Sequence, residues 1–311
     1  MGWKVVHLTR PCKINIKSEN LLLHFTDTKD EVKVTLNDID FILFDNTQFT
    51  ITGKVLELLA KNNIATLFID EEFHPSSILT PYHQHSTMYE VANTQIALSE
   101  DFKGKVWQEI IKVKLKNQSD VLHFFQNPTS EKIDELIQKV EHFDISNQEA
   151  QGARVYWKNL FLNKHFKREQ GSEDIYNSML NYGYAILRAC MARSLSASGL
   201  LPIFGIWHQN RYNAFGLADD LMETFRPIVD IYIKLLKEQK YPNKTIFDIQ
   251  LKREIVALLN YGSLVINGGI SSLSSGVELY VRNYKRAMMS ENISYIFHPT
   301  LNEKFFRYEC L

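Results

Sequence analysis

The stretch of the sequence most suggestive of chemistry is Leu217–Pro227, which reads LADDLMETFRP. On a helix, Asp220 and Glu223 are three residues apart and Asp219 and Glu223 are four apart, so the three carboxylates lie on one side. Carboxylates this close raise one another's pKa unless a cation lies among them. The stretch therefore fits a divalent-cation site, and it equally fits an acidic surface near the start of a helix.

Two further residues could complete such a cation site. His208 follows an apolar run and precedes three polar residues, whereas Glu149 stands early in a helix predicted to begin at a Ser-x-x-Glu capping box with Ser146 as N-cap. By itself, either residue is typical of a structural role. An imidazole combined with carboxylates is nevertheless a ligand set that suits Mn²⁺ or Mg²⁺.

The sequence lacks the motifs of nucleotide hydrolysis and of zinc binding. Gly268-Gly269 is too short to be a phosphate-cradling loop, and no Cys-x-x-Cys or His-Glu-x-x-His pattern occurs. The three cysteines, Cys12, Cys190 and Cys310, are odd in number and far apart, which indicates reduced thiols in a cytoplasmic protein. These patterns argue against a nucleotide-driven enzyme and against a zinc or disulfide framework.

The composition is that of a packed globular protein. Of 311 residues, 45% are apolar and 23% are charged, which excludes wholesale disorder. No apolar run approaches the roughly 20 residues of a membrane span, and no secretory signal is visible at the N-terminus. The net charge of −1 does not decide whether nucleic acid is a partner, because only a local basic patch matters for that.

The elements that must position the candidate residues fall into two groups. Over the first 80 residues, short β-branched segments alternate with turn residues, and one helix follows Thr52 as its N-cap. From about residue 92 the apolar spacing is helical almost to the end. The sequence therefore predicts an α+β protein with a small N-terminal antiparallel β domain (1–80), a linker (81–91) and a larger all-α domain (92–311).

Two basic clusters lie on predicted helices of the second domain. Each is typical of a solvated helix face, and each could also hold a nucleic-acid backbone. Tyr156, Trp157, Tyr182 and Tyr184 are more typical of core aromatics than of base-stacking platforms. The first cluster comprises Lys103, Lys105, Lys112, Lys114 and Lys116, and the second comprises Arg154, Lys158, Lys164, Lys167 and Arg168.

Taken together, these segments resemble one protein family over essentially the whole chain. Glu149–Trp157, Asn177–Tyr184, Gly205–His208 and Leu217–Pro227 look like the signature blocks of the CRISPR adaptation integrases, the Cas-one (Cas1) family, in order and spacing. The opening residues and the stretch from Asp38 look like the N-terminal lobe of its type II branch.

The resemblance implies a set of metal ligands. The ligands of this family are a Glu, a His and an acidic residue of an Asp-x-x-Asp/Glu motif, which fall on Glu149, His208 and Glu223, with Asp220 as the first acid of the motif. Asp219 is an additional acid beside it, so the resemblance leaves open which acid completes the shell. The implied cation is Mg²⁺ or Mn²⁺.

The resemblance also implies the activity and the partners. Members join the 3′-OH ends of spacer-precursor DNA into the repeat array by transesterification, and the same site can act as a DNA endonuclease. We expect Arg154, Lys158, Lys112, Lys116 and Arg211 to contact double-stranded DNA in the helical, catalytic domain. We expect the β lobe to form a homodimer, with two dimers flanking a Cas-two dimer in a heterohexamer.

Two other functions stay open on the sequence alone. One is a stand-alone, structure-selective DNA endonuclease, which would cut DNA without joining it. The other is a non-catalytic DNA-binding scaffold, in which the acidic cluster is only a helix face.

Overall fold

The computed structural model describes residues 4–70, 75–79, 87–163, 165–169, 172 and 174–310. Within these ranges, strands dominate the beginning of the chain and helices the remainder, which confirms the predicted α+β class. The strands are β1 (Lys4–Leu8), β2 (Cys12–Lys17), β3 (Asn20–Phe25), β4 (Glu31–Thr35), β5 (Ile39–Phe44), β6 (Phe49–Ile51), β7 (Ala65–Ile69), β8 (Pro75–Leu79), β9 (Leu264–Ile266), β10 (Gly269–Ser271) and β11 (Thr300–Leu301). The α-helices are α1 (Gly53–Lys61), α2 (Met88–Ala97), α3 (Glu100–Phe124), α4 (Ser130–Ile137), α5 (Gln148–Leu160), α6 (Ile175–Ala197), α7 (Gly216–Met222), α8 (Arg226–Leu235), α9 (Ile249–Ala257), α10 (Leu273–Ser290) and α11 (Glu303–Tyr308).

The N-terminal lobe, which consists of β1 to β8 and α1, contains two four-stranded sheets. Their strand orders are β1-β5-β7-β8 and β4-β3-β2-β6. The pairings β1/β5, β5/β7 and β2/β6 are parallel and the others are antiparallel, so the predicted antiparallel layer is wrong for these three pairs. The chain returns from β5 to β7 through a crossover that contains α1, and such a crossover aligns the two strands in parallel.

Strand β5 is apolar except for Asp40, and both of its faces are buried. Ile42 and Phe44 belong to a core shared by the two sheets, whereas Phe41 and Leu43 belong to the large core of the helices. Because successive side chains of a strand point to opposite faces, one strand serves both cores. The lobe is thereby packed against the helical body, which we define as α2 to α11 with β9 to β11.

Buried ion pairs add to this contact between lobe and body. Lys252 of α9 places its Nζ 2.9 Å from Asp45 Oδ1, just beyond β5, and Tyr182 of α6 donates a hydrogen bond of 3.2 Å to Asp45 Oδ2. Arg193 of α6 lies 3.0 Å from the carboxylate of Asp40. Asp40 lies within β5 and Asp45 directly follows it, so α6 and α9 are fixed to the lobe by charge as well as by apolar packing.

The helical body is built around α6, which packs against α7, α8, α9 and α10. Helix α3 packs against α4, α5 and α8 with a stripe that includes Ile110, Ile111 and Leu115. These contacts bring α3, α5 and α7 to one side of the body. Among the residues that the structure describes, no helix is long and apolar enough to cross a membrane.

The prediction of an all-α second domain is wrong in one detail. Strands β10, β9 and β11 form a small antiparallel sheet in the helical body. The turn between β9 and β10 is Asn267-Gly268, in which both residues have positive φ, of 50° and 75°. This turn suits a two-residue hairpin, which explains the Gly pair that is too short to bind phosphate.

Two predicted boundaries also change. Helix α2 begins at Met88, so the end of the predicted linker (81–91) is helical, while residues 81–86 lie outside the described residues. The helix that carries the acids, α7, ends at Met222 with Glu223 as its C-cap, and Pro227 stands in the first turn of the next helix, α8. The domain boundary at residue 80 stays a prediction.

Candidate active site

One cleft of about 690 Å³ receives side chains from α5, α6, α7, α8 and strand β8. Glu149, His208 and Glu223, the three predicted metal ligands, all line this cleft. The structure therefore brings together residues that are up to 74 positions apart in the chain, which no local pattern could do. The other charged residues lining the cleft are Arg168, Arg188, Asp219 and Arg226.

His208 lies on the loop before α7, and Asp220 fixes its orientation. Its Nδ1 is 2.6 Å from Asp220 Oδ1, and no described residue hydrogen bonds to its Nε2. This hydrogen bond raises the pKa of His208 above its ordinary value, although burial opposes the shift. A carboxylate that accepts a hydrogen bond from one ring nitrogen leaves the other nitrogen free to bind a metal, as in many histidine metal sites.

Asp220 itself is fully buried and holds the His208 loop by its backbone. Its carboxylate accepts hydrogen bonds from the N–H groups of Ile206 at 2.5 Å, Trp207 at 2.9 Å and His208 at 3.1 Å. With the imidazole added, both oxygens are engaged. Asp220 is therefore placed to support His208 and not to face a cation directly.

Two glycines permit the loop to lie this close to α7. A Cβ on Gly205 would be 2.6 Å from the carbonyl oxygen of His208, and a Cβ on Gly216 would be 2.4 Å from the same oxygen. Real Cβ atoms do not approach backbone oxygens this closely, so any larger residue would displace the loop. The glycines thus fix where His208 stands relative to Asp220.

Glu149 reaches the cleft because other residues cap the helix that carries it. Asn147, with φ of 53°, is the N-cap of α5 and accepts a hydrogen bond from Ala150 N, and Asp144 accepts one from Glu149 N at 3.0 Å. The capping box predicted for Ser146 and Glu149 is therefore wrong. The Glu149 carboxylate does not bond back to the helix start, and it is free to face the cleft.

The Glu223 carboxylate is 3% exposed and lies between two cations. Its Oε1 is 3.0 Å from Arg226, and its Oε2 is 2.6 Å from the Nζ of Lys114 on α3. Burial would raise the pKa of Glu223, but the positive charges of Arg226 and Lys114 outweigh burial and lower it. Lys114 Nζ is also 2.5 Å from Glu149 Oε1, so this ammonium bridges both predicted carboxylate ligands.

The donor set fits a small divalent cation. Glu223 Oε2 is buried, and its partner among the described residues is the Lys114 ammonium at 2.6 Å. Carboxylate oxygens and a neutral imidazole nitrogen are ligands that suit Mn²⁺ or Mg²⁺. Within the described ranges, no three His, Cys, Asp or Glu side chains are already grouped as a metal site. Glu149, His208 and Glu223 as one ligand shell stays a prediction.

The three neighbouring acids that the sequence left open have different surroundings. Asp219 Oδ2 accepts hydrogen bonds of 2.7 Å from both Arg188 and Asn213, and Asp220 is committed to the His208 loop. Only Glu223 presents an oxygen that is bound by cations alone. These contacts favour Glu223 as the acid that completes a metal shell.

The residues predicted to bind DNA lie outside the cleft lining. Arg154 and Lys158 are exposed on α5, and Arg211 is exposed on the loop after His208, with its guanidinium 4.5 Å from the Tyr212 ring centre. On α3, Lys112 pairs with Glu109 and Lys116 pairs with Asp120.

Of the basic residues that line the cleft, Arg168 belongs to a basic cluster predicted from the sequence, whereas Arg188 and Arg226 were not predicted as DNA contacts. Arg188 is paired with Asp219, whereas Arg168 is held by Asn177 Oδ1 at 2.9 Å and Asn181 Oδ1 at 2.7 Å. Lys114 was grouped with solvated lysines, but it is buried. Its position in the apolar stripe with Ile110, Ile111 and Leu115 was the available signal, because a lysine in such a stripe needs a buried counter-charge.

The buried carboxyl group of Asp230 holds one residue of the cleft wall in place. Tyr184, which lines the cleft, donates a hydrogen bond of 2.5 Å to Asp230 Oδ1, and Tyr156 donates one of 3.1 Å to Asp230 Oδ2. The Arg226 guanidinium lies 4.9 Å from the centre of the Tyr184 ring. Asp230 thus positions Tyr184, whose ring contacts Arg226, the cation that pairs with Glu223 Oε1.

Asp230 is expected to make stability depend on pH. Burial raises its pKa to about 7, so between about pH 4 and pH 7 the folded state holds a proton that the unfolded state has lost. The free energy of unfolding should therefore fall as pH rises through this range, by up to about 4 kcal/mol from this group. Urea denaturation at pH 4.5 and 7.5 should show that Asp230→Asn removes this component. The exposed control Asp134→Asn should keep the wild-type pH dependence, and an unchanged dependence in Asp230→Asn would contradict the assignment.

Comparisons with known proteins show which family the chain is similar to. The family model described as CRISPR associated protein Cas1 matches residues 6–263. The CRISPR-associated endonuclease Cas1 of Neisseria meningitidis serogroup C (strain 8013) is 30% identical over 311 residues, which are 99% of this chain and 100% of that protein.

Solved structures show the same fold. A casposase bound to integration product has a TM-score of 0.75 at 21% identity, over 93% of this chain and 91% of that one. A Cas6-RT-Cas1--Cas2 complex has a TM-score of 0.74 at 20% identity, over 94% of this chain and 36% of that one. The family model and the full-length Neisseria relative show family membership, which similarity of fold alone would not show. The chain belongs to the Cas1 family of CRISPR-associated proteins.

Proposed function

We propose that this protein is a metal-dependent DNA integrase of CRISPR adaptation, which also cuts DNA when water replaces the 3′-OH. The observation that carries the proposal is the cleft itself, where Glu149, His208 and Glu223 face the guanidinium groups of Arg168, Arg188 and Arg226. A cation-binding set beside phosphate-binding groups suits phosphodiester chemistry. The name of the Neisseria relative, an endonuclease, and the integration product in the casposase structure support it.

The proposed reaction is a transesterification. The 3′ oxygen of the incoming strand forms a bond to the phosphorus of a repeat phosphodiester, and the bond from that phosphorus to the 3′ oxygen of the preceding nucleotide breaks. The hydroxyl proton ends on the departing 3′ oxygen. One ester replaces another, so no nucleotide triphosphate is consumed, in accord with the lack of a phosphate-binding loop in the sequence.

In this proposal each cleft residue has a separate task. Glu149, His208 and Glu223 would hold Mg²⁺ or Mn²⁺, which supplies Lewis acidity and neutralises the attacked phosphate. Asp220 orients His208 through the Nδ1 contact. The arginines would bind phosphate oxygens, for which their planar, bidentate donors are suited.

We further propose the partners that the family implies. Two lobes would pair into a homodimer, and two dimers would flank a Cas2 dimer, bind double-stranded DNA and act in the cytoplasm. The Cas6-RT-Cas1--Cas2 complex among the structural neighbours supports a Cas2 partner. Membership of the type II branch of the family stays a prediction.

Light scattering of the purified chain tests the pairing. We expect a dimer mass, because the end strands of both sheets in the lobe leave backbone groups that need partners. A monomer at every concentration would contradict it.

The basic residues predicted to contact DNA should determine how DNA binding depends on salt. Removing Arg154 and Lys158 together, or Lys112 and Lys116 together, should weaken DNA binding regardless of sequence, since phosphate contacts carry no sequence information. Each lost contact should reduce the slope of log affinity against log salt by about 0.9. Fluorescence anisotropy at several salt concentrations measures this, with Lys33→Ala on the lobe as control. Unchanged slopes in both double variants would show that these side chains are only solvated.

The products distinguish the proposal from its alternatives. A labelled duplex incubated with a repeat-bearing plasmid, Mn²⁺ and the Cas2 partner should yield joined, branched DNA. A stand-alone endonuclease would yield only cut fragments. A scaffold would bind DNA equally with and without Mn²⁺ and would change no phosphodiester.

A further inference from the structure

Lys114 is the one lysine of the α3 cluster that is both buried and in contact with the candidate metal ligands. Its side chain is 9% exposed, and the buried residues near it on α3 include Ile110, Ile111 and Leu115. Its Nζ is 2.5 Å from Glu149 Oε1 and 2.6 Å from Glu223 Oε2. A single ammonium therefore occupies the point at which two carboxylates from different helices converge.

The charges of this group balance without a metal ion. Lys114 and Arg226 carry two positive charges, and Glu149 and Glu223 carry two negative ones. Arg226 contacts Glu223 Oε1, whereas Lys114 contacts the other oxygen, Oε2. Lys114 is thus the cation that pairs with the buried oxygen Oε2.

A divalent cation and this ammonium would compete for the same two oxygens. Small divalent cations bind carboxylate oxygens at about 2.1 Å. With Lys114 Nζ at 2.5–2.6 Å from Glu149 Oε1 and Glu223 Oε2, an ion bound to both oxygens would lie against another positive charge. Metal binding to these oxygens thus requires Lys114 to release at least one carboxylate, whereas Arg226 can keep its contact.

We propose that Lys114 is a built-in counter-ion of the metal-free site, a positioning residue that holds Glu149 and Glu223 in place and competes with the divalent cation for them. This inference rests on the proposed function, since it takes these carboxylates as metal ligands. It predicts that the protein keeps its two acidic ligands preassembled without metal, at the cost of weaker metal binding.

Mn²⁺ titration followed by electron paramagnetic resonance tests the competition without DNA and without an activity readout. Lys114→Met keeps most of the side-chain volume and removes the charge, so it should bind Mn²⁺ about tenfold or more tightly than wild type. Lys105→Met, on the same helix but paired with Asp101, should bind like wild type. Glu149→Gln should bind more weakly because it removes a ligand.

Two further measurements guard against misfolding. Lys114→Gln removes the charge but keeps a hydrogen-bond donor, and it should also bind Mn²⁺ more tightly, whereas Lys114→Arg should bind no more tightly than wild type. In chelator, Lys114→Met should melt at a lower temperature than wild type, and Mn²⁺ should raise its melting temperature by more. Equal or weaker Mn²⁺ binding in both neutral variants would overturn the counter-ion role, even if wild type binds Mn²⁺ and Glu149→Gln does not. If wild type binds no Mn²⁺, the proposed metal site fails, and this inference fails with it.

Discussion

Replacing Glu149 or Glu223 by Gln, or His208 by Ala, is expected to reduce strand joining by at least about 1000-fold. Metal assistance supplies several kcal/mol of barrier lowering, and about 4 kcal/mol corresponds to three orders of magnitude. Gln keeps the side-chain shape, which matters at Glu223 because an Ala would leave Lys114 and Arg226 facing a void. DNA affinity should change less than about threefold, since the basic side chains that are predicted to bind phosphate remain.

The measurement pairs a joining assay with anisotropy on the same protein preparations. Glu109→Gln is a matched control, because Glu109 is also a glutamate paired with a lysine of α3 but does not line the cleft. It should join DNA at the wild-type rate. Full activity in His208→Ala, or a loss of DNA affinity as large as the loss of joining, would contradict the assigned roles.

The second large effect is expected at Asp220. Asp220→Ala leaves three backbone N–H groups and the imidazole without their acceptor, so it should lower the free energy of unfolding by about 2–4 kcal/mol even in chelator. Because His208 is then no longer oriented, joining should fall by about 10- to 100-fold, the usual effect of removing a residue that supports a metal ligand. Urea denaturation and the joining assay measure the two effects.

Asp219→Ala provides the neighbouring comparison. Asp219 is 16% exposed and is held by Arg188 and Asn213, so its removal should cost less than about 1 kcal/mol. If Asp220→Ala kept wild-type stability in chelator but lost Mn²⁺ binding, Asp220 would be a direct ligand and the division of roles among the three acids would be wrong.

Much of the fold follows from the periodicity of the sequence. The change from two-residue to helical spacing near residue 52 and again from about residue 92 is a local property, and the α+β class is confirmed. Strand direction is not local. Nothing in the apolar runs of β5 and β7 shows that they pair in parallel, because direction is decided by the crossover between them.

The candidate site was likewise only partly predictable from the sequence. The spacing of the motif predicted a cation site at the acids near residue 220. It could not distinguish Asp219, Asp220 and Glu223, because all three lie on one side of a helix. Their roles differ only in the folded protein, where the loop that contains His208 lies against α7. There three backbone N–H groups donate hydrogen bonds to Asp220, and backbone groups give no signal in the sequence.

Two misassigned residues show why local patterns fail near this site. The Ser146-x-x-Glu149 spacing matches a capping box, yet the left-handed conformation of Asn147 and the carboxylate of Asp144 take over the cap. Lys114 stands among exposed lysines in the sequence, but the apolar residues around it turn that face of α3 inward. The groups that cap α5 are near in sequence, but only the folded backbone shows that they replace Ser146, whereas Lys114 is placed by carboxylates that are distant in sequence.

The most direct test of the central claim identifies the nucleophile. A duplex with labelled strands is offered to the protein, its Cas2 partner and a repeat-bearing plasmid, once with 3′-OH ends and once with 3′-dideoxy ends, each in Mn²⁺ and in chelator. The account predicts branched, joined DNA only with 3′-OH ends and only in Mn²⁺, and no joined product from Glu149→Gln. Joined product in chelator would contradict the metal mechanism, and plasmid cutting with no joined product from either duplex would show that the protein is a nuclease and not an integrase.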